Sequence, residues 1–177
     1  MQELKIMTTP HTFRRQYKIH FSECDPAGIV FYPQYFVMFN DLIESWIDTV
    51  LPDGYHGVIG ARRLGMPTVH LEVDFKAISR FGEKVWLELE VVRVGGKSIT
   101  LAWRCSGADG DVRLAATQTI VMTSLDTHLA IPVPEDLRAP IEHGTAPART
   151  EDGALTELAH RIGTHSAPGG RPFPETV

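Results

Sequence analysis

The sequence predicts an α+β fold in which an antiparallel sheet of about five strands wraps around one long helix. One stretch, residues 32–50, carries apolar residues at helical spacing. Four later stretches alternate apolar and polar residues with period two, and glycine-containing turns separate them. A helix with a wide apolar face needs a packing partner, and such a sheet needs one face covered. We therefore expect the sheet to wrap around the helix.

The first predicted strand covers residues 12–21, where the apolar residues of one parity are Phe13, Tyr17, Ile19 and Phe21. A loop that contains Pro26 and Gly28 follows this strand. The helix is then predicted from about Tyr32 to Val50, with an apolar stripe made of Tyr35, Phe39, Leu42, Trp46 and Val50. The segment Leu51-Pro52-Asp53-Gly54 is typical of a helix end.

Four further strands are predicted as a meander, at residues 69–77, 85–94, 98–105 and 112–123. The first of them alternates polar residues with Val69, Leu71, Val73, Phe75 and Ala77, which indicates a half-buried strand. Gly95-Gly96 and Gly107–Gly110 are predicted to form hairpin turns. The opposite parity also carries apolar side chains, namely Trp86, Val92, Val94, Ala102 and Val121. We therefore expect a second subunit to cover the other face of the sheet.

The chain length predicts one domain followed by a tail. With 177 residues, the chain is long enough to bury a substantial core. Residues 1–137 are predicted to form this domain, and residues 138–177 a C-terminal extension of unknown role. The extension is rich in Pro, Gly, Ala and Thr, with one short helix-like piece near residues 154–162.

The composition argues against several classes of partner. The net charge is −5 and no long basic run occurs, which disfavours nucleic acid binding. No window approaches the roughly 20 apolar residues of a membrane span, and the N-terminus lacks a secretory signal. Cys24 and Cys105 lack CxxC spacing, as expected of free thiols in a cytoplasmic protein. The histidines are scattered, and the closest pair, His160 and His165, lies in the polar tail and is not at helical i, i+4 spacing, so no metal is expected.

The polar loop before the helix is the main candidate for chemistry. Its sequence, Glu23-Cys24-Asp25-Pro26-Ala27-Gly28, places a carboxylate just ahead of the first helical turn. The first N–H groups of a helix lack internal partners and lie at the positive end of the helix dipole. A carboxylate beside such donors is suited to acyl transfer. Asp-Pro is also common in ordinary turns, so the pair alone would not decide the matter.

Residues 24–35, CDPAGIVFYPQY, closely resemble the active-site segment of hotdog-fold acyl-CoA thioesterases of the 4-hydroxybenzoyl-CoA thioesterase type. The resemblance covers roughly residues 12–137. It implies a hotdog fold, an acyl-CoA substrate and assembly into a homodimer or homotetramer. It implies no cofactor, because coenzyme A is part of the substrate.

The resemblance also implies roles for individual residues. Asp25 would be the catalytic carboxylate, acting as nucleophile or as general base on water, and both routes stay open. The backbone N–H of Tyr32 would polarise the thioester carbonyl. The remaining candidates for substrate binding are Gly28, Phe31, Asn40, Lys97 and Ser98. Of these, Gly28 would permit close backbone approach, Phe31 would wall an acyl pocket, and Lys97 with Ser98 would meet the coenzyme A phosphates.

Asn40 departs from the pattern of the family. Enzymes that act on 4-hydroxybenzoyl-CoA have an aspartate at the matching helix position, where it accepts a hydrogen bond from the phenol. Asn40 is neutral and can also donate, so an aromatic acyl group is implied without specificity for 4-hydroxybenzoyl.

Other residues near the loop have simpler interpretations. Asp41 and Glu44 share a helix face and are rival carboxylates, although a solvated face is the favoured interpretation. Glu23 and His20 could tune Asp25, but a surface role is favoured for both. Cys24 is interpreted as packing. Gly96-Lys97-Ser98 is not a phosphate-binding loop, because Val91 stands where its first glycine should be.

These observations predict an acyl-CoA thioesterase that hydrolyses a small aromatic acyl-CoA. One alternative is a thioesterase for short or medium fatty acyl-CoA or for acyl carrier protein, which could use the same site. Another is a non-catalytic acyl-CoA-binding hotdog module. Such a module is expected to lack an intact acidic loop and to carry a DNA-binding appendage. This chain has the acidic loop and lacks the appendage.

Overall fold

The computed structural model describes residues 6–9 and 12–143. The strands are β1 (Ile6–Thr9), β2 (Thr12–Lys18), β3 (Leu64–Gly65), β4 (Thr68–Phe75), β5 (Lys84–Val94), β6 (Ser98–Ser106), β7 (Val112–Val121) and β8 (Thr123–Ser124). The helices are α1 (Pro33–Val50), α2 (Gly54–His56) and α3 (Glu135–His143). Two short helical turns complete the set, a 3₁₀ turn at Phe21–Glu23 and a π-helical turn at Gly57–Ala61.

The main sheet is antiparallel, with strand order β1-β2-β5-β6-β7-β4. The glycine turns fall where the sequence predicts them: Gly95 N–H donates to the Ser98 carbonyl (2.7 Å), and Gly110 N–H donates to the Gly107 carbonyl (3.1 Å). The short strand β1 adds to the five predicted strands. The predicted α+β architecture is confirmed, with one long helix packed on the sheet.

Helix α1 begins at Pro33 and buries one of its faces. Pro33 occupies the first helical position, where its fixed φ and missing N–H cost nothing. The buried face carries Phe39, whose ring stacks on Trp103 of β6 with centroids 4.6 Å apart. Phe39 and Trp46 of the predicted apolar stripe are both core residues.

The strand predicted at residues 69–77 is present as β4, but the prediction that it is half-buried is wrong. In β4 the side chains of Val69, Leu71 and Phe75 are 60%, 39% and 53% exposed. Leu71 lies opposite buried Gln118 of β7, so the apolar side of β4 does face the core side of the sheet. However, β4 is the last strand of the sheet, and α1 packs over β5 nearer the centre. Apolar and polar residues therefore do alternate in β4, but the described chain leaves the apolar side of this strand uncovered.

The structure also differs from the predictions at the end of β2 and at α3. Strand β2 ends at Lys18, and Phe21 opens a 3₁₀ turn with its side chain exposed. Helix α3 was not predicted, yet its Leu137 and Ile141 are buried in the core. It spans position 137, while the proposed division of the chain at that position stays a prediction. The helix-like piece near residues 154–162 lies outside the described residues.

Candidate functional site

The loop that connects β2 to α1 is a small hairpin, residues 23–31, which we call the acid loop. Its two sides are joined by a bridge between Cys24 and Val30 and by a hydrogen bond from Asp25 N–H to the Ile29 carbonyl (2.9 Å). At its tip, Gly28 N–H donates to the Asp25 carbonyl (2.9 Å). Gly28 has φ +74°, a conformation that residues with a Cβ rarely adopt. Gly28 therefore serves the turn itself, and its role in the close approach of a substrate stays a prediction.

The Asp25 side chain lies half-buried at this tip. Its Oδ1 accepts a hydrogen bond from Ala27 N–H (2.8 Å), which fixes the carboxylate against its own loop. Within the described residues, Oδ2 accepts no hydrogen bond from the protein. One carboxylate oxygen is therefore held by the loop while the other remains accessible to an incoming molecule.

Across the hairpin, the peptide between Phe31 and Tyr32 presents a free donor. Its carbonyl accepts a hydrogen bond from Gln34 N–H (2.8 Å) inside the first turn of α1. Because the peptide is trans, the Tyr32 N–H points the opposite way, outward from the helix. It has no partner among the described residues, and Pro33 has no N–H to compete with it. The helix dipole favours negative charge at this donor.

Exposed aromatic rings cluster at the start of α1. The Tyr32 ring contacts those of Phe31 and Phe75 edge-on, with centroids 5.4 Å and 6.3 Å away. Phe75 also contacts Tyr35, at 6.1 Å. The sequence predicted Phe31 at the site but assigned Phe75 to the strand interior. No local signal could have placed Phe75 here, because its position depends on the pairing of β4 with β7.

A segment between β4 and β5, residues 76–83, holds the acid loop from behind; we call it the strap. Val30 N–H donates to the Ser79 carbonyl (2.9 Å), and Phe81 N–H donates to the Gly28 carbonyl (3.1 Å). The strap is itself anchored by Arg113 of β7. The Arg113 guanidinium donates to the Ile78 carbonyl and lies 3.4 Å from a Glu83 carboxylate oxygen. Sequence reasoning missed these supports, since they join segments far apart along the chain.

The prediction of a surface role for Glu23 is wrong. Its carboxylate is buried and accepts hydrogen bonds from the Tyr17 hydroxyl and from His20 N–H (2.7 Å). Burial, followed by the hydrogen bond to Glu23, raises the pKa of Tyr17 far above its usual value. Glu23 therefore stabilises the entry to the acid loop, whereas the His20 side chain is exposed, as expected.

The thiol of Cys24 is poorly suited to nucleophilic attack. Desolvation raises its pKa, and the nearby carboxylates of Glu23 and Asp25 add to this effect. Its Sγ lies 3.5 Å from the His20 carbonyl, to which it can donate. A thiol that stays protonated is a weak nucleophile, in accord with the interpretation of Cys24 as packing.

The helix residues proposed for the site lie on an exposed face of α1. Asn40, Asp41 and Glu44 are all exposed. Asn40 follows Tyr32 by eight residues, which places it roughly 12 Å further along the helix axis. Within one chain it therefore lies apart from the acid loop.

Lys97 and Ser98 lie at the opposite end of the sheet from the acid loop. Strand β5 begins beside the acid loop at Lys84 and ends at Val94, a length of roughly 30 Å. The Lys97 ammonium donates to the Ala130 carbonyl (2.9 Å) in the segment that follows β8. A single chain thus carries Asp25, Gly28, Phe31 and Tyr32 on the acid loop or directly after it, whereas Lys97 and Ser98 lie at the far end of the sheet.

Two concavities elsewhere on the molecule differ from this site. One of about 310 Å³ lies on the outer face of the sheet and includes Glu88 and Thr117. Another of about 520 Å³ lies between α1 and α2 and includes Asp48 and Tyr55. Neither is lined by Asp25 or Tyr32.

In the part of the chain that the structure describes, no three His, Cys, Asp or Glu side chains are grouped as metal ligands. None of the described helices is both long and apolar enough to cross a membrane.

Comparison with known proteins relates this site to one family. The profile of the thioesterase-like superfamily matches residues 19–141. A curated 1,4-dihydroxy-2-naphthoyl-CoA hydrolase from Synechocystis sp. is 25% identical over 130 residues, covering 73% of this chain and 88% of that protein.

Solved structures show the same fold. A thioesterase-superfamily protein from Jannaschia sp. CCS1 has a TM-score of 0.68 and 28% identity, covering 84% of this chain and 99% of that one. A mutant 4-hydroxybenzoyl-CoA thioesterase complexed with 4-hydroxybenzoyl-CoA has a TM-score of 0.67 and 22% identity, covering 74% and 99%. The predicted hotdog fold and thioester-hydrolase class are confirmed: this chain belongs to the thioesterase-like superfamily.

Proposed function

We propose that this protein hydrolyses a small aromatic acyl-CoA, of benzoyl or hydroxybenzoyl type, to the free acid and coenzyme A. The observation that carries the proposal is that the acid loop holds the Asp25 carboxylate at its tip and leads directly into the free Tyr32 N–H at the start of α1. The exposed rings of Phe31, Tyr32 and Phe75 suit an aromatic acyl group. The similarity to a naphthoyl-CoA hydrolase supports the same class of substrate.

The chemistry follows from these two groups. The Tyr32 N–H donates to the thioester oxygen and stabilises the negative charge that develops there. Asp25 then either attacks the carbonyl carbon, forming a mixed anhydride that water hydrolyses, or removes a proton from an attacking water. In both routes the C–S bond breaks and coenzyme A leaves as a thiolate that takes up a proton. No cofactor is needed, because a thioester is already activated.

We further propose that a second copy of the chain completes the site by pairing along β4. This strand is the last of the sheet, and its apolar side chains are exposed. Antiparallel pairing of two β4 strands would place Thr68 of one copy near Phe75 of the other. The Lys97-Ser98 turn lies at the Thr68 end of the sheet, so the copy's turn would approach the acid loop. Lys97 and Ser98 could then meet the coenzyme A phosphates as predicted.

The substitution Leu71→Asp tests this assembly. A charge at the centre of the β4 edge should disfavour pairing, because the carboxylate would have to leave water on association. We expect the variant to be monomeric by light scattering and to lose most thioesterase activity, while the wild type is at least dimeric. Leu129→Asp, at an exposed position outside β4, is the matched control and should keep the wild-type mass. A monomeric and fully active wild type would contradict the proposal.

The proposed reaction is tested by thiol release from a panel of benzoyl-, hydroxybenzoyl-, phenylacetyl- and straight-chain acyl-CoAs. We expect the highest kcat/KM with the aromatic esters, since aromatic rings line the site. A preference for straight-chain esters would instead indicate a fatty acyl-CoA thioesterase. Binding of acyl-CoA without any hydrolysis would indicate a non-catalytic binding module.

A further inference from the structure

We propose that the hydrogen bond between Tyr35 and Ser79 is a positioning device that sets the Tyr32 N–H relative to Asp25; this inference rests on the proposed function. The Tyr35 hydroxyl donates to Ser79 Oγ across 2.9 Å. Ser79 belongs to the strap, and its carbonyl accepts the N–H of Val30 in the acid loop. One residue thus contacts both the helix and the loop that carry the two proposed catalytic groups.

These contacts form a closed circuit around one peptide group. Tyr35 N–H donates to the Tyr32 carbonyl (3.3 Å), while its side chain reaches Ser79. Ser79 in turn holds Val30, which is joined covalently to Phe31 and Tyr32. The Phe31–Tyr32 peptide, which carries the free donor, lies inside this circuit. Its orientation is therefore restrained from the helix side by Tyr35 and from the loop side by Ser79.

The circuit also reaches the carboxylate. Val30 is bridged to Cys24, which directly precedes Asp25. The strap holds the tip of the same hairpin through Phe81 N–H and the Gly28 carbonyl. A shift of the strap would therefore move Asp25 and the Tyr32 N–H by different amounts, because Tyr32 is also tied to the helix.

Burial makes the Tyr35–Ser79 contact specific. Ser79 is 1% exposed and Tyr35 is 4% exposed, so water cannot replace either partner. A buried hydroxyl is costly unless it is hydrogen-bonded, which favours the one arrangement in which both are paired. The Cys105 thiol is also in hydrogen-bonding reach of Ser79, but its burial raises its pKa to about 12 and keeps it protonated.

The test compares Tyr35→Phe, Ser79→Ala and the double variant in steady-state hydrolysis of the best ester of the panel. Tyr35→Phe removes only the hydroxyl, and a displacement of about 1 Å between reacting groups can cost up to about 10²-fold in rate. We expect kcat to fall about 10- to 100-fold in each single variant, with KM changed less than about threefold. Because the hydroxyls act through each other, the double variant should lose no more than the worse single variant.

Tyr55→Phe is the matched control, since this partly buried tyrosine lies within α2, outside the acid loop and the strap, and its kcat should remain at the wild-type value. Thermal unfolding of every variant separates positioning from loss of fold. If the wild type is active and the kcat of Tyr35→Phe differs from the wild-type value by less than twofold, the inference is overturned. It is also overturned if the double variant shows the product of the single losses. If Tyr35→Phe does not fold, Ser79→Ala alone decides by the same kcat criterion. A wild type that hydrolyses no thioester would overturn the proposed function instead, and this inference with it.

Discussion

Replacing Asp25 by asparagine should abolish nearly all thioester hydrolysis. The amide has the same shape, and its Oδ1 can still accept the hydrogen bond from Ala27 N–H, so the acid loop should keep its conformation. The amide is neither a competent nucleophile nor a base. If Asp25 acts as general base, kcat should fall by roughly 10²–10⁴-fold, and loss of a nucleophile should cost more. Thiol release under saturating substrate measures the effect.

The rival carboxylates on α1 provide the controls for this experiment. Asp41→Asn makes the identical chemical change on the exposed face of the helix, and Glu44→Gln makes its equivalent one turn further on. Both variants should retain kcat within about twofold, as expected of solvated side chains. If Asp25→Asn keeps near-wild-type turnover while Asp41→Asn or Glu44→Gln loses it, the catalytic group lies on the helix and our assignment is wrong.

The largest expected effect on stability comes from truncating Phe39. Its ring is completely buried and stacks on Trp103 at the contact between α1 and the sheet. Phe39→Ala removes this contact and leaves a cavity in a closely packed interior, at a cost of about 3–5 kcal/mol in the free energy of unfolding. Denaturant unfolding followed by tryptophan fluorescence should show the loss as a lower midpoint.

Val37 supplies the control on the same helix. Its side chain is 52% exposed, so Val37→Ala should change the free energy of unfolding by no more than about 0.5 kcal/mol. Equal effects of the two substitutions would mean that α1 does not bury the face described here. A large loss at Val37 alone would indicate that this exposed side of the helix is covered by another subunit.

Local patterns were sufficient wherever the information lies within one element. The spacing of Tyr35, Phe39 and Trp46 predicted both the extent of α1 and its buried face. Gly28 and the glycine turns were predicted because glycine is typical of tight turns, and Gly28 and Gly110 do adopt a positive φ. The juxtaposition of Asp25 with the start of a helix was likewise visible, since the two are neighbours in the sequence.

Local patterns did not predict the tertiary contacts of individual side chains. Alternation in β4 correctly indicated which side is apolar, but strand order alone decided that this side lies at an uncovered edge. The buried Glu23 resembled a surface residue because its partner Tyr17 belongs to the preceding strand. Lys97 was grouped with Asp25 by resemblance, whereas the direction of β5 separates them within one chain.

The sequence by itself therefore determined the fold class, the family and the loop that carries the candidate catalytic groups. These depend on periodicity, turn chemistry and a short contiguous motif, all of which are local properties of the chain. Only the tertiary structure decided that Ser79 joins the acid loop to α1 and that Phe75 lies beside Tyr32. Such contacts depend on strand order and register, which bring together residues some 40 positions apart. The sequence around one of these residues does not predict which residue it will contact.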